Sequence, residues 1–367
     1  MKIKAKINNF SYPIIVGTNI LNKLPNEINK FTKSKKVLIL IDKYLVKKYL
    51  NSFSKNLIKK NFIVETIKIT AGKKCKDVKS LTHIIDILEK KNFSKDSTMI
   101  VVGGGTIGDL GGFAASLFFR GMHLVHVPTT LTAQIDSSLG GKVAINFNNN
   151  INAIGNYYHP KLILCDYTFI KNLPIRDFKS GISEVIKSAF ITNKKYTNFI
   201  KNNHIAILKR EKNIILKMVA IIIKIKLNIV KQDEREKNIR MYLNYGHTIG
   251  QAIESSYPLN LEHYRHGEAV ALGMLCVAYI AQKYFKVKNL YSEHLKILKN
   301  YGLPINISKF KKSKNNMLNI ILKNISKDKK KNHTGNRFVL LKQIGNPKIV
   351  SNINPNIVKD SILRLIK

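Results

Sequence analysis

Short apolar runs bounded by polar residues recur through the first half of the chain, and they predict buried strands. Residues 36–41 (KVLILI), 97–102 (STMIVV), 124–127 and 162–164 each fit one such strand. Apolar positions over residues 81–88 recur with helical spacing instead. Strands that alternate with helices are typical of a parallel α/β sheet.

The pattern changes around residue 175. From Phe178 onward the apolar positions recur every three and four residues, as in the long run over 214–230, which predicts a mainly α-helical region. A length of 367 residues also fits two domains, at roughly 100–200 residues each. We therefore expect an α/β domain over residues 1–175 and a mainly helical domain over 176–367.

Composition narrows the class of protein further. With 44% hydrophobic residues the chain can bury a sizeable core, which excludes disorder as its main state. Cys75, Cys165 and Cys276 are too few and too scattered for a disulfide framework, so we expect a reducing, cytoplasmic compartment. No targeting segment is visible, and the apolar run over 218–225 is far shorter than the roughly 20 residues of a membrane span.

The formal net charge of +41 raises the question of a nucleic-acid partner, because clustered Lys and Arg bind phosphate backbones. The basic residues are spread along the chain and accompany abundant Asn and Ile, as an AT-rich coding sequence would produce. No zinc-finger spacing or RNP-like aromatic motif accompanies them. We favour compositional drift over a dedicated nucleic-acid or membrane partner. The electrostatic field of the positive charge can still help to recruit an anionic small substrate.

A glycine-rich turn follows the predicted strand 97–102. Gly103, Gly105 and Gly108 fit G-x-G-x-x-G, which allows backbone N–H groups to approach a pyrophosphate at a helix N-terminus. A tight strand-to-helix turn without a ligand explains the same motif. The fingerprint's acidic residue about 20 positions downstream is missing. Asp42, at the end of an earlier predicted strand, is either its substitute or a helix cap.

A second cluster of small polar residues spans residues 128–142. Thr129, Thr130 and Asp136 belong to it, and Lys142 at its end can pair with an anion. The cluster predicts a ligand-lining loop after a strand, with a plain surface loop as the alternative.

Glu184, His247 and His266 form a possible Glu/His/His zinc set with an open fourth position, the pattern of catalytic zinc sites. They lie 63 and 19 residues apart, so no short ligand motif exists and each His can equally be a structural group. Lys187 shares one helical face with Glu184, either within the site or as a surface ion pair.

A dinucleotide beside an open metal site suits alcohol oxidation. The metal lowers the pKa of a bound hydroxyl, and a hydride leaves to the nicotinamide. Basic side chains would hold an anionic substrate, namely Arg120, Lys142, Lys187, Lys226 and Arg240.

Several blocks in this order resemble the 3-dehydroquinate synthase family of sugar phosphate cyclases: GGGTIGDLGGFAAS, RGMHLVHVPTTLTAQIDSSLGGKVAIN, SGISEVIK, DEREKNIRMYLNYGHTIG and HGEAVALGM. The resemblance runs from about Tyr12 to about residue 330. It implies an α/β protein in which residues 1–175 form a Rossmann-like NAD-binding domain with a parallel sheet. Residues 176–367 would form a helical metal- and substrate-binding domain, with the active site in the cleft between the domains.

The resemblance also implies a reaction, the conversion of 3-deoxy-D-arabino-heptulosonate 7-phosphate to 3-dehydroquinate and phosphate in the shikimate pathway of aromatic amino acid biosynthesis. The cofactors would be NAD+ and Zn2+ or Co2+. Transient oxidation of the C5 carbinol acidifies the neighbouring C–H, and phosphate is then eliminated. The ketone is reduced again, the ring opens, and an intramolecular aldol reaction closes the carbocycle.

Individual roles follow from the matching positions. The metal ligands would be Glu184, His247 and His266. The NAD+ contacts would be Asp42, Lys76, Gly105, Thr106, Ile107, Gly108, Asp109, Thr129, Thr130 and Lys142, with Phe169, Ile170, Lys171 and Asn172 as looser matches. The substrate would be held by Asp136, Lys142, Asn152, Lys187, Lys226, Arg240 and Asn244. Lys329 or Lys330, near the end of the matched region, would add a further contact. Arg120 matches a residue that reaches the substrate phosphate of a neighbouring subunit, which implies a homodimer.

The chain departs from the family pattern in three places. Residues 71–76 read AGKKCK where the family reads roughly DGEQYK, so acidic acceptors for ribose hydroxyls are lost. Ile151 replaces a lysine. Gln251 replaces a second His, and Gln cannot shuttle a proton. The alternatives are another sugar-phosphate cyclase, a metal-dependent polyol dehydrogenase, or a weakly active copy that binds polyanions.

Overall fold

The computed structural model describes residues 1–148, 150–258, 263–309, 312–327 and 336–366. Its contacts divide into two compact units. The first comprises Met1–Leu173 with Ile215–Lys231, and the second comprises Pro174–Ile214 with Gln232–Lys367. Residues 215–231 group with the first unit, although their helical pattern predicts that they belong to the second domain. The domain bounds and the cleft stay predictions, and each unit is described separately.

Among the described residues, the first unit contains nine strands, six whole helices and residues 215–231 of a longer helix that is given below with the second unit. The strands are β1 (Lys2–Ile7), β2 (Phe10–Gly17), β3 (Lys36–Asp42), β4 (Ile63–Ile69), β5 (Thr98–Gly103), β6 (His123–Pro128), β7 (Lys142–Phe147), β8 (Asn150–Tyr157) and β9 (Leu162–Asp166). The helices are α1 (Leu24–Ile28), α2 (Lys43–Leu45), α3 (Asn51–Ile58), α4 (Val78–Lys90), α5 (Gly105–Leu117) and α6 (Tyr167–Asn172). Short 3-10 or π segments lie at Ile20–Lys23, Val46–Leu50, Lys73–Cys75, Phe118–Arg120 and Ala133–Ser137.

Seven strands form one sheet in the order β1-β2-β9-β6-β5-β3-β4, and β7 pairs with β8 in a separate hairpin. β1 is antiparallel to β2, and all other neighbours in the large sheet are parallel. The predicted parallel α/β sheet is therefore confirmed. The chain runs from β3 to β4 and then places β5 on the other side of β3. This creates a topological switch point between β3 and β5, where α/β sheets bind ligands at the carboxyl ends of their strands.

The central strands are apolar on both faces because both faces are covered by other elements. Alternate side chains of β3 separate into two core clusters. Leu38 and Leu40 pack with residues of α4 and α5, whereas Val37, Ile39 and Ile41 pack with residues of α1 and α3. The near-continuous apolar run that predicted this strand thus reflects burial on two sides.

The second unit is built from helices, as predicted. They are α7 (Ile175–Thr192), α8 (Lys194–Asn202), α9 (His204–Leu208), the long α10 (Lys212–Gln232) that continues into the first unit, α11 (His247–Glu254), α12 (His266–Phe285), α13 (Leu290–Asn300), α14 (Lys314–Ser326) and α15 (Pro355–Leu363). A 3-10 segment, Ile239–Asn244, precedes α11. A small hairpin of β10 (Phe338–Leu341) and β11 (Pro347–Val350) was not predicted. Within the described ranges, no helix has both the length and the apolar character that crossing a bilayer requires.

Glycines bring α7, α11 and α12 into backbone contact. A Cβ added to Gly273 of α12 would lie 1.9 Å from the carbonyl oxygen of Gly246, just before α11. A Cβ added to Gly267 would lie 1.9 Å from the carbonyl oxygen of Ser180 on α7. No side chain fits at these positions, so the three helices approach more closely than larger residues would allow.

Candidate active site

The three predicted metal ligands come together in the second unit. Glu184 lies on α7, His247 opens α11 and His266 opens α12. Their candidate ligand atoms all lie within 4.8 Å of one another. The Nε2 atoms of His247 and His266 each lie 3.7 Å from Glu184 Oε1. We call this group the Glu184–His247–His266 cluster.

The hydrogen bonds of the two imidazoles indicate which nitrogen faces the cluster. His247 Nδ1 lies 3.2 Å from the backbone oxygen of Tyr245, and His266 Nδ1 lies 3.1 Å from Glu254 Oε2. A carbonyl oxygen can only accept, and a carboxylate accepts when ionised, so each Nδ1 is assigned the proton. Both Nε2 atoms then present a lone pair to the cluster. Metal-binding histidines are commonly oriented in this way.

Glu184 is buried in an environment that suits a cation. Its side chain is 1% exposed, and within the described parts of the chain neither carboxylate oxygen accepts a well-formed hydrogen bond. Oε2 nevertheless forms an ion pair with the ammonium of Lys187, which is 2% exposed. The pair is therefore buried, and the alternative of a surface ion pair is wrong. A buried carboxylate with unused lone pairs is costly unless a cation or donor meets it.

The electrostatics of His266 point the same way. Burial opposes protonation of the imidazole, but the carboxylates of Glu254 and Glu184 outweigh burial and raise the pKa of His266. The surroundings of the cluster therefore favour positive charge. Two imidazole nitrogens and one carboxylate oxygen are a donor set that Zn2+ or Co2+ accepts.

Two predicted substrate residues lie on the 3-10 segment before α11. Arg240 is 2% exposed, and its guanidinium donates to the backbone oxygen of Glu234. Asn244 donates from Nδ2 to Glu236 Oε1 at 2.6 Å. Both side chains are thus held by groups of the preceding turn.

Asp233 organises that turn. Its carboxylate accepts backbone N–H groups of residues 237, 238 and 240 at 2.9, 2.7 and 3.0 Å. Burial works against the charged carboxylate, but these hydrogen bonds outweigh it and lower the pKa of Asp233. The carboxylate stabilises the conformation that presents Arg240.

In the first unit, the glycine-rich turn lies at the switch point. Gly104 has an extended backbone (φ −76°, ψ −174°) and α5 begins at Gly105. A Cβ at Gly104 would lie 3.1 Å from Thr130 Cγ2, and one at Gly105 would lie 3.0 Å from Ser137 Oγ. The absence of side chains leaves the backbone N–H groups at the start of α5 open to an anion. This geometry fits a pyrophosphate.

The residues at the neighbouring strand ends have structural partners of their own. Asp42 ends β3 and caps α2, because its Oδ1 accepts the backbone N–H of Tyr44 at 3.2 Å. Burial outweighs this hydrogen bond and raises the pKa of Asp42. Thr129 is buried after β6 and donates its backbone N–H to Gly103 at 3.0 Å, and Thr130 Oγ1 accepts the N–H of Ala133 at 3.1 Å. The helix-cap alternative for Asp42 therefore holds, whether or not it also binds a ribose.

The altered loop over residues 71–76 is joined to α5. Thr106 Oγ1 accepts the N–H of Gly72 at 3.4 Å. The ammonium of Lys76 is buried and lies 2.5 Å from Asp109 Oδ2 and 2.6 Å from Asn152 Oδ1. Burial raises the pKa of Asp109, and the charge of Lys76 partly offsets that rise. Three predicted ligand-binding residues are thus in direct contact.

Lys226 and Asp136 form a second contact within the first unit. Lys226 lies on α10 and is 7% exposed. Its ammonium donates to both the carboxylate and the backbone oxygen of Asp136, which belongs to the short segment Ala133–Ser137. The structure therefore holds this pair of predicted substrate residues together.

Some predicted contacts are not brought into these groups. The side chains of Ile107, Phe169 and Ile170 are buried in the core of the first unit, so only their backbones can face a cofactor. Gly108 lies inside the first turn of α5, where its N–H donates to Gly104. Lys171 and Asn172 are exposed at the end of α6.

Five further residues named in the sequence analysis have distinct outcomes. Lys142 and Arg120 are exposed, and Arg120 has a left-handed backbone with φ 60°. Gln251 is exposed on α11, whereas His247 one turn earlier is buried. Lys329 and Lys330 lie outside the described residues.

Sequence reasoning missed the residues that support the cluster. Glu254 lies seven positions after His247, two turns along the same helix, so helical periodicity would have placed it on the same side. Tyr245 and Glu236 carry no comparable spacing signal, because their contacts depend on the turns that precede α11.

Comparison with known proteins places this arrangement in a family. The family model described as 3-dehydroquinate synthase N-terminal matches residues 66–180, and the one described as 3-dehydroquinate synthase C-terminal matches residues 181–331. The chain belongs to the 3-dehydroquinate synthase family. A 3-dehydroquinate synthase from Clostridium beijerinckii is 38% identical over 339 residues, which cover 91% of this chain and 93% of the relative.

Two solved structures of other synthases share the fold of this chain. A 2-deoxy-scyllo-inosose synthase complexed with carbaglucose-6-phosphate, NAD+ and Co2+ has a TM-score of 0.88 at 23% identity, covering 99% of this chain and 100% of the other. A 2-epi-5-epi-valiolone synthase from Streptomyces hygroscopicus subsp. jinggangensis 5008, with NAD+ and Zn2+ bound, has a TM-score of 0.84 at 20% identity, covering 98% of each chain. At these identities the likeness shows the fold.

Proposed function

We propose that this chain is a 3-dehydroquinate synthase, which converts 3-deoxy-D-arabino-heptulosonate 7-phosphate to 3-dehydroquinate and phosphate. The single observation that carries the proposal is the Glu184–His247–His266 cluster, in which both Nε2 atoms face a buried carboxylate oxygen at 3.7 Å. Relatives at 38% identity named 3-dehydroquinate synthase support the choice of reaction.

Glu184, His247 and His266 would hold Zn2+ or Co2+, the ions present in the related cyclase structures. A divalent ion at this position supplies a Lewis acid that lowers the pKa of a coordinated hydroxyl. The chain contributes the orientation of its ligands, because Tyr245 and Glu254 fix the two imidazoles.

The start of α5 would hold the pyrophosphate of NAD+, with Asp42, Thr129 and Thr130 at the adjoining strand ends. Bound NAD+ supplies a reversible hydride acceptor for the carbinol. Lys76 and Asp109 would both belong to the NAD+ site, where the ion pair between their side chains would orient them. Ala71 and Lys73 stand where the family pattern has its two acidic residues, so we expect weaker NAD+ binding than an acidic loop would give.

The remaining polar groups would bind the anionic substrate. The guanidinium of Arg240 offers a planar fork that matches a carboxylate, and Asn244 adds an amide donor. Lys187 is held beside Glu184 in a buried position, where its ammonium can donate to a substrate oxygen without competition from water. Lys226, Asp136, Lys142 and Asn152 would complete the substrate contacts.

Arg120 carries the proposal of a homodimer. It is exposed at the end of Phe118–Arg120, and its family counterpart reaches the substrate of a neighbouring subunit. If the chain forms this homodimer, the Arg120→Ala variant should bind substrate more weakly than the wild type and should keep its metal content.

The test combines phosphate release with metal analysis. The purified chain with NAD+, Co2+ or Zn2+ and the heptulosonate phosphate should release phosphate without net accumulation of NADH, because the cofactor is regenerated. His266→Ala should lose most bound metal and activity while it keeps its helical content. His83→Ala changes an exposed histidine on α4 and should keep both.

The outcomes separate the alternatives. No phosphate release at any metal loading would reject the proposal. NADH that accumulates with a simple polyol would indicate a dehydrogenase, and salt-dependent DNA binding without NAD+ binding would indicate a polyanion-binding protein.

A further inference from the structure

A buried polar pair lies behind the Glu184–His247–His266 cluster. Tyr245 and His294 are both 0% exposed, and the hydroxyl of Tyr245 lies 2.8 Å from His294 Nε2. His294 Nδ1 lies 2.8 Å from the backbone oxygen of Leu290, so Nδ1 carries the proton and Nε2 accepts from the hydroxyl. Burial lowers the pKa of His294 to about 4, which keeps this imidazole neutral near pH 7.

The other end of Tyr245 orients a ligand of the cluster. Its backbone oxygen is the partner of His247 Nδ1 at 3.2 Å. Only Gly246 separates the two residues, with a left-handed φ of 77°, and a Cβ there would lie 2.8 Å from the backbone nitrogen of Met274. The path from the Tyr245 ring to the His247 ring is therefore short, and it packs closely against α12 at Gly246.

His294 also contacts the helix that carries the third ligand. Its ring packs on that of Phe190 with a centroid separation of 4.0 Å, and Phe190 lies on α7 with Glu184. The His294 side chain of α13 thus contacts both α7 and the turn that precedes α11.

The core does not need polar groups at these positions. Burying a hydroxyl and an imidazole costs desolvation that apolar rings of similar size would avoid. The hydrogen bond of the pair fixes the position of the Tyr245 ring, because it is directional, whereas apolar packing tolerates small shifts.

We propose that Tyr245 and His294 form a positioning pair for the metal site: their hydrogen bond fixes the backbone oxygen of Tyr245 and thereby the orientation of His247. The inference rests on the proposed function, since it assumes that the cluster binds a divalent ion. It does not assign either residue a contact with substrate.

The test is Co2+ binding to the full chain, measured by competition with a chelator and by the visible ligand-field spectrum. Tyr245→Phe removes only the hydroxyl and should weaken Co2+ binding about 10-fold and alter the spectrum. The matched control is Tyr301→Phe in the same unit, because Tyr301 is 1% exposed and its hydroxyl donates to the backbone oxygen of Ile200 at 2.6 Å. The control should leave affinity and spectrum unchanged.

A second pair of variants keeps the test decisive if Tyr245→Phe does not fold. His294→Gln retains an acceptor and should keep the wild-type spectrum, whereas His294→Leu should behave like Tyr245→Phe. Wild-type affinity and spectrum in Tyr245→Phe or in His294→Leu would overturn the inference. A wild-type chain that binds no Co2+ would instead overturn the proposed function.

Discussion

The contact between Glu254 and His266 allows a quantitative prediction for the variant Glu254→Gln. Glu254 Oε2 lies 3.1 Å from His266 Nδ1, and the Glu254 side chain is 11% exposed. Glutamine keeps the length and shape of the side chain, and its amide oxygen can still accept the Nδ1 proton. The substitution removes the negative charge alone.

The magnitude follows from the difference between charged and neutral hydrogen bonds. A hydrogen bond to a charged group contributes about 1.5–3 kcal/mol net, against about 0.5–1.5 kcal/mol for a neutral one. The difference is therefore about 1–1.5 kcal/mol, which corresponds to roughly a 5- to 10-fold loss in metal affinity. A cation in the cluster polarises the His266 ring and strengthens its Nδ1 donor, so the loss falls on the metal-bound state.

The assay is competition for Zn2+ between the chain and a chromophoric chelator at fixed pH and ionic strength. Glu268→Gln is the control, because Glu268 lies on α12 two residues after His266, is 14% exposed and pairs with Arg176 at 2.7 Å. This control changes one nearby carboxylate without touching the His266 ring contact. Equal Zn2+ affinity in the Glu254→Gln and Glu268→Gln variants would refute the reasoning.

Two further predictions concern other buried or altered groups. Burial lowers the pKa of His126 on β6 to about 4, against about 6.5 in the unfolded chain, so its contribution to stability is complete above about pH 6.5 and is lost as the pH falls toward 4. His126→Gln should therefore show a shallower fall in melting temperature over this range, and an identical fall would contradict the assignment. Gln251→His restores the family residue on an exposed face of α11 and should raise phosphate release by up to about 100-fold if a proton shuttle is missing. An unchanged rate would mean that the chain compensates elsewhere.

The pattern of apolar and polar residues predicted a strand or helix correctly wherever that element's burial determines its sequence. The run over residues 36–41 became β3 because both faces of that strand are covered, so no polar position interrupts it. The helical spacing over 81–88 lies within α4 because only one face of α4 packs on the core, so apolar positions recur every three and four residues. By contrast, β4 was not predicted, because it lies at the sheet edge and its side chains are only partly buried.

Residue type and resemblance identified the candidate ligands as one set, but they did not give the distances and ring orientations within it. Glu184, His247 and His266 lie on three helices, and periodicity records which face of each helix is apolar without recording which faces meet. Backbone contacts at Gly267 and Gly273 decide that geometry.

The chain's own residue order therefore determined the class of fold, the glycine turn and the identity of the possible ligands. Tertiary structure alone decided the burial of the Glu184–Lys187 pair, the support of His266 by Glu254 and the link from His294 to His247. The link from His294 starts with a hydrogen bond to Tyr245, 49 residues away, and its distance depends on how whole helices pack. That packing is a property of the assembled core, which no local pattern of apolar and polar positions encodes.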